Sequence, residues 1–279
     1  MRGVAREYGH ATGAAFTDPA AAVEITATEA GGVPVQLRDE APLNGAEGCT
    51  RFVALEVEGV DPAAQTPRWM ARRLTLAGMR PISLIVDVTN YVMLDLGQPL
   101  HAYDAEKLVG PVTVRRARKG EELTTLDDAR RTLDPEDLLI TDAGGAGDRV
   151  LGLAGVMGGA DTEVTETTRS IVLEAATFDP VTVARTARRH RLPSEASKRF
   201  ERGVDPQLPL IAAHRAAQLI VEHGGGTVSA RVTDEGAVAA PAPISADLHD
   251  AERVVGIAYT DEQVISSLEA IGCTVAREG

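Results

Sequence analysis

Glu174 sits in an otherwise apolar run, Ile171-Val172-Leu173-Glu174-Ala175-Ala176. The period-two alternation of a strand places it on one face with Val172 and Ala176. An ionised carboxylate there is costly unless a donor reaches it. Two donors are open: a neighbouring arginine, or a hydroxyl brought by a ligand. In the second case the site penalises any ligand without that hydroxyl, because the carboxylate is left unpaired. His101 follows the Gly97-Gln98-Pro99 break and is expected in a loop. An imidazole there can orient a water or a ribose hydroxyl, or serve as a hydrogen-bonded structural residue. Gly155, Gly158 and Gly159 in LAGVMGGAD permit close backbone approach without forming a dinucleotide-binding GxGxxG. Arg80, just past Gly78, suits a phosphate, a carboxylate or a surface salt bridge.

A second concentration of chemistry is electrostatic. Between Arg185 and Arg202 lie seven Lys or Arg residues against two Glu, in a chain of net charge -13. Such an island marks a docking place for an anion, or a salt-bridged, solvated helix pair. Pro193, Ser194, Ala196 and Ser197 form a small-residue patch within it. Ser194 and Ser197 lie near His190, yet no motif supports a nucleophilic triad. GxSxG, HExxH, P-loop and Cys–His signatures are all missing, so a positioned water is the expected nucleophile for any hydrolysis. The two cysteines, Cys49 and Cys273, form neither a disulfide scaffold nor a zinc module and fit a reducing compartment. No apolar run is long enough to span a membrane, and the acidic balance argues against general nucleic-acid or membrane-surface binding. The expected location is the cytoplasm.

The elements that must position these residues follow from periodicity. With 44% hydrophobic but only 3% aromatic residues among 279, the core must be aliphatic. Strands are expected at Val23–Thr26, Val35–Leu37, Arg51–Val57, Val112–Arg116, Leu123–Leu126, Arg131–Leu133, Leu138–Thr141, Val150–Leu153 and Ser170–Ala175. Helices are expected from Thr66-Pro67 to Gly78, over Pro180–Arg191 and over Leu208–His223. Ile82–Leu96 mixes both signals and is taken as a strand that turns helical near Asp87. Strands and helices do not alternate strictly, so the class is α+β. Ala237–Pro243 is an Ala/Pro linker. Neither end completes a unit, so the chain is expected to be an internal portion of a longer protein.

Three stretches carry a family resemblance: GMRPISLIVDVTNYVMLDLGQPLHAYD (Gly78–Asp104), LAGVMGGADTEV (Leu153–Val164) and RRHRLPSEASKRFERGVDP (Arg188–Pro206). They resemble the bacterial phenylalanine–tRNA ligase beta subunit. The resemblance implies a B3/B4-like editing domain over residues 49–238. It is preceded by the end of a B1-like domain (1–18) and a linker or edge segment (19–48), and followed by a linker and the start of a B5-like domain (239–279). In that family the B3/B4 domain hydrolyses tyrosine wrongly esterified to tRNA(Phe). The resemblance makes Glu174 the reader of the tyrosine hydroxyl, and His101 and Ser194 its companions in the reaction. Arg80, Thr89, Asn90, Gly158, Gly159 and Ala196 become pocket residues. Tyr103 stands where Phe is frequent, and Pro193 departs from the residues usual before the serine. The implied partners are tRNA(Phe), its mischarged tyrosine and the alpha subunit of a heterotetramer. No metal or cofactor is expected in this portion; ATP and magnesium are expected for the full synthetase. A structural or RNA-binding module without editing is the alternative.

Overall fold

The computed structural model describes residues 2–145, 148–238 and 240–277; Ala239 of the expected linker, Met1 and residues 278–279 lie outside them. The strands begin with β1 (Glu29–Ala30), β2 (Val35–Arg38), β3 (Cys49–Glu58), β4 (Leu100–Asp104), β5 (Val112–Arg116) and β6 (Glu122–Thr124). They continue with β7 (Arg130–Thr132), β8 (Leu138–Asp142), β9 (Arg149–Leu153), β10 (Met157–Gly158), β11 (Ile171–Phe178) and β12 (Thr227–Gly236). The helices are α1 (Arg2–Thr12), α2 (Arg68–Leu76), α3 (Leu84–Leu96), α4 (Pro180–Arg189), α5 (Glu195–Phe200), α6 (Leu208–Gly224), α7 (Asp250–Val255) and α8 (Asp261–Ala270). The α+β class holds.

Two five-stranded sheets, ordered β1-β12-β3-β11-β4 and β10-β9-β8-β5-β2, organise the first unit, which ends at Val238. β11 lies between β3 and β4, antiparallel to both. Its alternation serves two cores. Ile171, Leu173 and Ala175 pack with Leu84, Val88 and Val92 of α3 and Ala216 and Ile220 of α6. Val172, Ala176 and Phe178 face the other way, toward Leu139, Leu151 and Leu153 of the second sheet and Val183 of α4. Each fully buried aliphatic side chain here contributes about 1.5–3 kcal/mol. A strand with both faces covered leaves no wet side for a charge, which is why Glu174 stands out.

Several elements depart from the expectations. Val23–Thr26 is not a strand; a short 3-10 turn, Pro19–Ala22, capped by Asp18, precedes it. Residues 19–48, expected as a linker or edge segment, carry two edge strands: β1 pairs with β12, and β2 runs parallel to β5 at the edge of the second sheet. α3 starts at Leu84, without the strand expected from Ile82. Asp87 in its first turn accepts from the Ile82 N–H at 2.8 Å and from the Thr66 hydroxyl at 2.6 Å. Thr66 therefore serves α3 rather than capping α2, which starts behind Pro67. α1 is held by Arg2, which pairs with Asp18 and Asp205. In the second unit α7 and α8 bury no residue, and Thr260 with Gln263 forms a capping box at the start of α8.

Candidate active site

His101 lies on β4, not in a loop, directly across the ladder from Glu174. The Gln98 amide explains why a strand follows the Gly-Gln-Pro break so closely: it donates to Pro99 O at 3.0 Å and Ala176 O at 2.9 Å, fastening the break onto β11. Tyr103, two residues further along β4, shares the face of His101, and the two rings meet edge-on with centroids 4.5 Å apart. From there the Tyr103 hydroxyl donates a short hydrogen bond to Glu174 Oε2. Neither donor left open by the sequence reaches this carboxylate. The chain's own phenol does, and among the described residues no donor reaches Oε1.

Burial sets the electrostatics. It pushes the Glu174 carboxyl from 4.5 up to about 7, against the opposing pull of the Tyr103 hydrogen bond. It holds the His101 imidazole down to about 4, so the ring is neutral at pH 7. Burial and the Glu174 charge together raise the Tyr103 phenol well above its usual value. His101 Nε2 is shielded from solvent and lacks a hydrogen-bond partner. Nε2 is closed off, so Nδ1 is the nitrogen left to position a water or hydroxyl, and so low a pKa makes the ring a weak base.

Gly158 on β10 makes room for that ring: a Cβ there would fall 2.7 Å from His101 Cε1 and 2.9 Å from Nε2. Gly159 donates its N–H to Leu151 O at 2.6 Å, and a Cβ would approach the same oxygen to 2.7 Å. The two glycines thus bring the backbone against the imidazole and the neighbouring strand, as LAGVMGGAD suggested. A small cleft of about 80 Å³ is lined by His101, Tyr103, Glu174, Gly158, Ala196 and Phe200 among others.

Not every expected residue converges. Ser194 is the N-cap of α5: its hydroxyl accepts from Ser197 N at 3.0 Å, and Ser197 Oγ accepts in return from Ser194 N at 3.0 Å. It lies outside the cleft lining but orients the helix that brings Ala196 and Phe200 in. Thr89 is buried in α3, bonded to Val86 O at 2.8 Å, and Asn90 follows it on that helix, which packs against the opposite face of the first sheet. Arg80 is exposed between α2 and α3. Among these, His101, Glu174, Gly158 and Ala196 come together.

The basic segment divides in two. Arg185 and Arg189 pair with Glu136, Arg189 and His190 also with Asp137, and Lys198 and Arg199 with Glu195. Arg188, Arg191 and Arg202 are exposed, with no ion pair among the described residues. Asp137, with 0% side-chain exposure, is the hub that reading the sequence missed. It also accepts from the Thr186 hydroxyl at 3.0 Å and the Asp134 N–H at 2.8 Å. Tyr103 was noticed only as an unusual residue. Placing His101 on a strand would have put its hydroxyl diagonal to Glu174.

A family model for the B3/4 domain matches residues 48–225, more than half of the chain and all of the cleft. The chain belongs to the B3/4 domain family. β12 extends this B3/4 domain beyond the matched residues by pairing with β3. Curated relatives are similar over nearly the whole chain. A phenylalanine–tRNA ligase beta subunit of Leifsonia xyli is 53% identical over 99% of this chain and 32% of its own length. One of Bifidobacterium longum is 52% identical over 100% of this chain and 33% of its own. The chain thus spans about a third of the length of these relatives. A solved N-terminal fragment of the phenylalanyl-tRNA synthetase beta-subunit from Pyrococcus horikoshii aligns at a TM-score of 0.46 and 15% identity, covering 87% of this chain and 65% of that one. That likeness is too distant to carry detail.

Proposed function

We propose that this B3/4 domain is the editing portion of a phenylalanine–tRNA ligase beta subunit, hydrolysing tyrosine mistakenly esterified to tRNA(Phe). The observation that supports this most is Glu174: a carboxylate on a doubly covered strand, lining a cleft, with one oxygen that no protein donor reaches. A phenol hydroxyl entering the cleft would donate to Oε1, whereas a phenyl ring would strip water from that oxygen and return nothing. His101 would hold the attacking water or the terminal ribose hydroxyl. Water adds to the ester carbonyl carbon, the bond to the ribose oxygen breaks, that oxygen takes a proton, and tyrosine leaves as the free acid. Backbone N–H groups lining the cleft would meet the developing charge.

In this reading Arg188, Arg191 and Arg202 offer the tRNA an anion-binding face. The alpha subunit, ATP and magnesium serve ligation elsewhere in a cytoplasmic complex. Arg80, Thr89 and Asn90, implied as pocket residues by the resemblance, lie away from the cleft and have no part in this reading, and Ser194 acts through the placement of α5. One observation favours the alternative of a structural or RNA-binding module: Glu174 already has a hydroxyl, from Tyr103. The test is deacylation by the full-length protein in its native complex. Tyrosyl-tRNA(Phe) is expected to be hydrolysed at least tenfold faster than phenylalanyl-tRNA(Phe), the discrimination a paired polar site supplies. Equal rates, or none with either ester, would leave the non-editing module as the better account.

A further inference from the structure

We infer that Tyr103 is a specificity-determining residue: its hydroxyl stands in for the substrate's at Glu174, which softens the site's rejection of an aromatic ester lacking a hydroxyl. This rests on the proposed editing function. The geometry that carries it is the donation from the Tyr103 hydroxyl to Glu174 Oε2, across the diagonal between β4 and β11, inside the cleft itself. Rejection by a polar pocket comes from the polar group left unpaired when the wrong ligand binds. With Tyr103 present, Glu174 never loses both partners. A phenyl ring over Oε1 deprives the carboxylate of water on one oxygen only, so the penalty is reduced.

The same contact fixes the carboxylate's direction. With Oε2 tied to β4, Oε1 is the oxygen left for a ligand, so the substrate hydroxyl would complete a phenol–carboxylate–phenol bridge rather than displace Tyr103. The titratable groups facing this carboxylate are few. His101 and Tyr103 come from β4, and Cys49 comes from β3, its thiol raised by burial and by the Glu174 charge. Asp142 on β8 acts on the Tyr103 phenol from the second sheet and is itself paired with Arg149. None of these replaces the hydroxyl if Tyr103 is trimmed.

Tyr103→Phe removes one oxygen and keeps the ring against His101. In the full-length protein within its complex, kcat/KM is measured for tyrosyl- and phenylalanyl-tRNA(Phe) between pH 5 and 9. The variant is expected to raise the tyrosyl-to-phenylalanyl ratio by about tenfold, chiefly through slower phenylalanyl hydrolysis. The midpoint of the ratio's pH dependence should also move up by about one pH unit, because the bond that favours the ionised carboxylate is gone. A variant with the natural ratio and midpoint, whatever its overall rate, would reduce Tyr103 to a packing residue and overturn the inference. A natural protein that fails to prefer the tyrosyl ester would instead remove the editing function, and this inference with it.

Discussion

At pH 8 the Glu174→Gln chain is expected to be more stable than the natural one by about 3 kcal/mol, and at pH 4 the difference should vanish. The sign follows from the raised carboxyl. A group whose pKa rises from 4.5 to about 7 on folding binds more protons in the native state between those values. Its favourable contribution is complete below pH 4.5 and lost as the pH climbs through 7. Glutamine keeps the shape, accepts from Tyr103 and never ionises. His101 titrates in the opposite sense: held at about 4 rather than 6.5, it removes stability as the pH falls through that window. That term is common to both chains and cancels in the difference. Thermal unfolding at the two pH values checks the result, with a shift of roughly 6–12 °C expected at pH 8. An equal shift at both would mean that Glu174 folds without being raised.

Asp137→Ala is expected to destabilise the chain by about 3 kcal/mol or more. Breaking a buried ion pair by removing one partner costs about 3–5 kcal/mol, because the other charge stays behind. Arg189 can fall back on Glu136 and Asp134, which moderates the loss. His190, with 7% side-chain exposure, and the buried Thr186 hydroxyl have no such substitute. α4 would then loosen from β8. The damage should reach the cleft, since the turn after α4 leads into α5 with Ala196 and Phe200. Denaturant unfolding and amide exchange over α4 and α5 measure this; a stability within 0.5 kcal/mol of the natural chain, the usual range for a surface change, would show the hub to be solvated.

How much of this was legible depended on how far each residue reaches. Glu174 was visible because a charge within a period-two apolar run is anomalous locally, whatever surrounds it. The His101 strand was hidden because the force that turns a Gly-Gln-Pro break into an edge strand is Gln98 bonding to Ala176, far along the chain. α3 begins with Leu84, and the β-branching of the following Ile85 and Val86 suggested a strand; burial against β11 and the Asp87 cap overrode that preference. The Val35–Leu37 strand was visible, but its place at the edge of the second sheet was hidden because its partner, β5, lies beyond β3, α2, α3 and β4. Asp137 sits in an ordinary acidic turn, and its burial depends on Arg189 and His190, half a hundred residues later. Glycine spacing showed that something approaches at Gly158, and coordinates were required to identify it as the imidazole.

The central claim is that Glu174 chooses the ligand by its hydroxyl. The ratio of kcat/KM for tyrosyl- over phenylalanyl-tRNA(Phe), compared between the natural protein and Glu174→Ala in the intact complex, tests it most directly. The ratio is expected to fall toward unity, by about 10- to 100-fold, with hydrolysis of the phenylalanyl ester maintained or increased. A variant that discriminates as well as the natural protein would contradict the account.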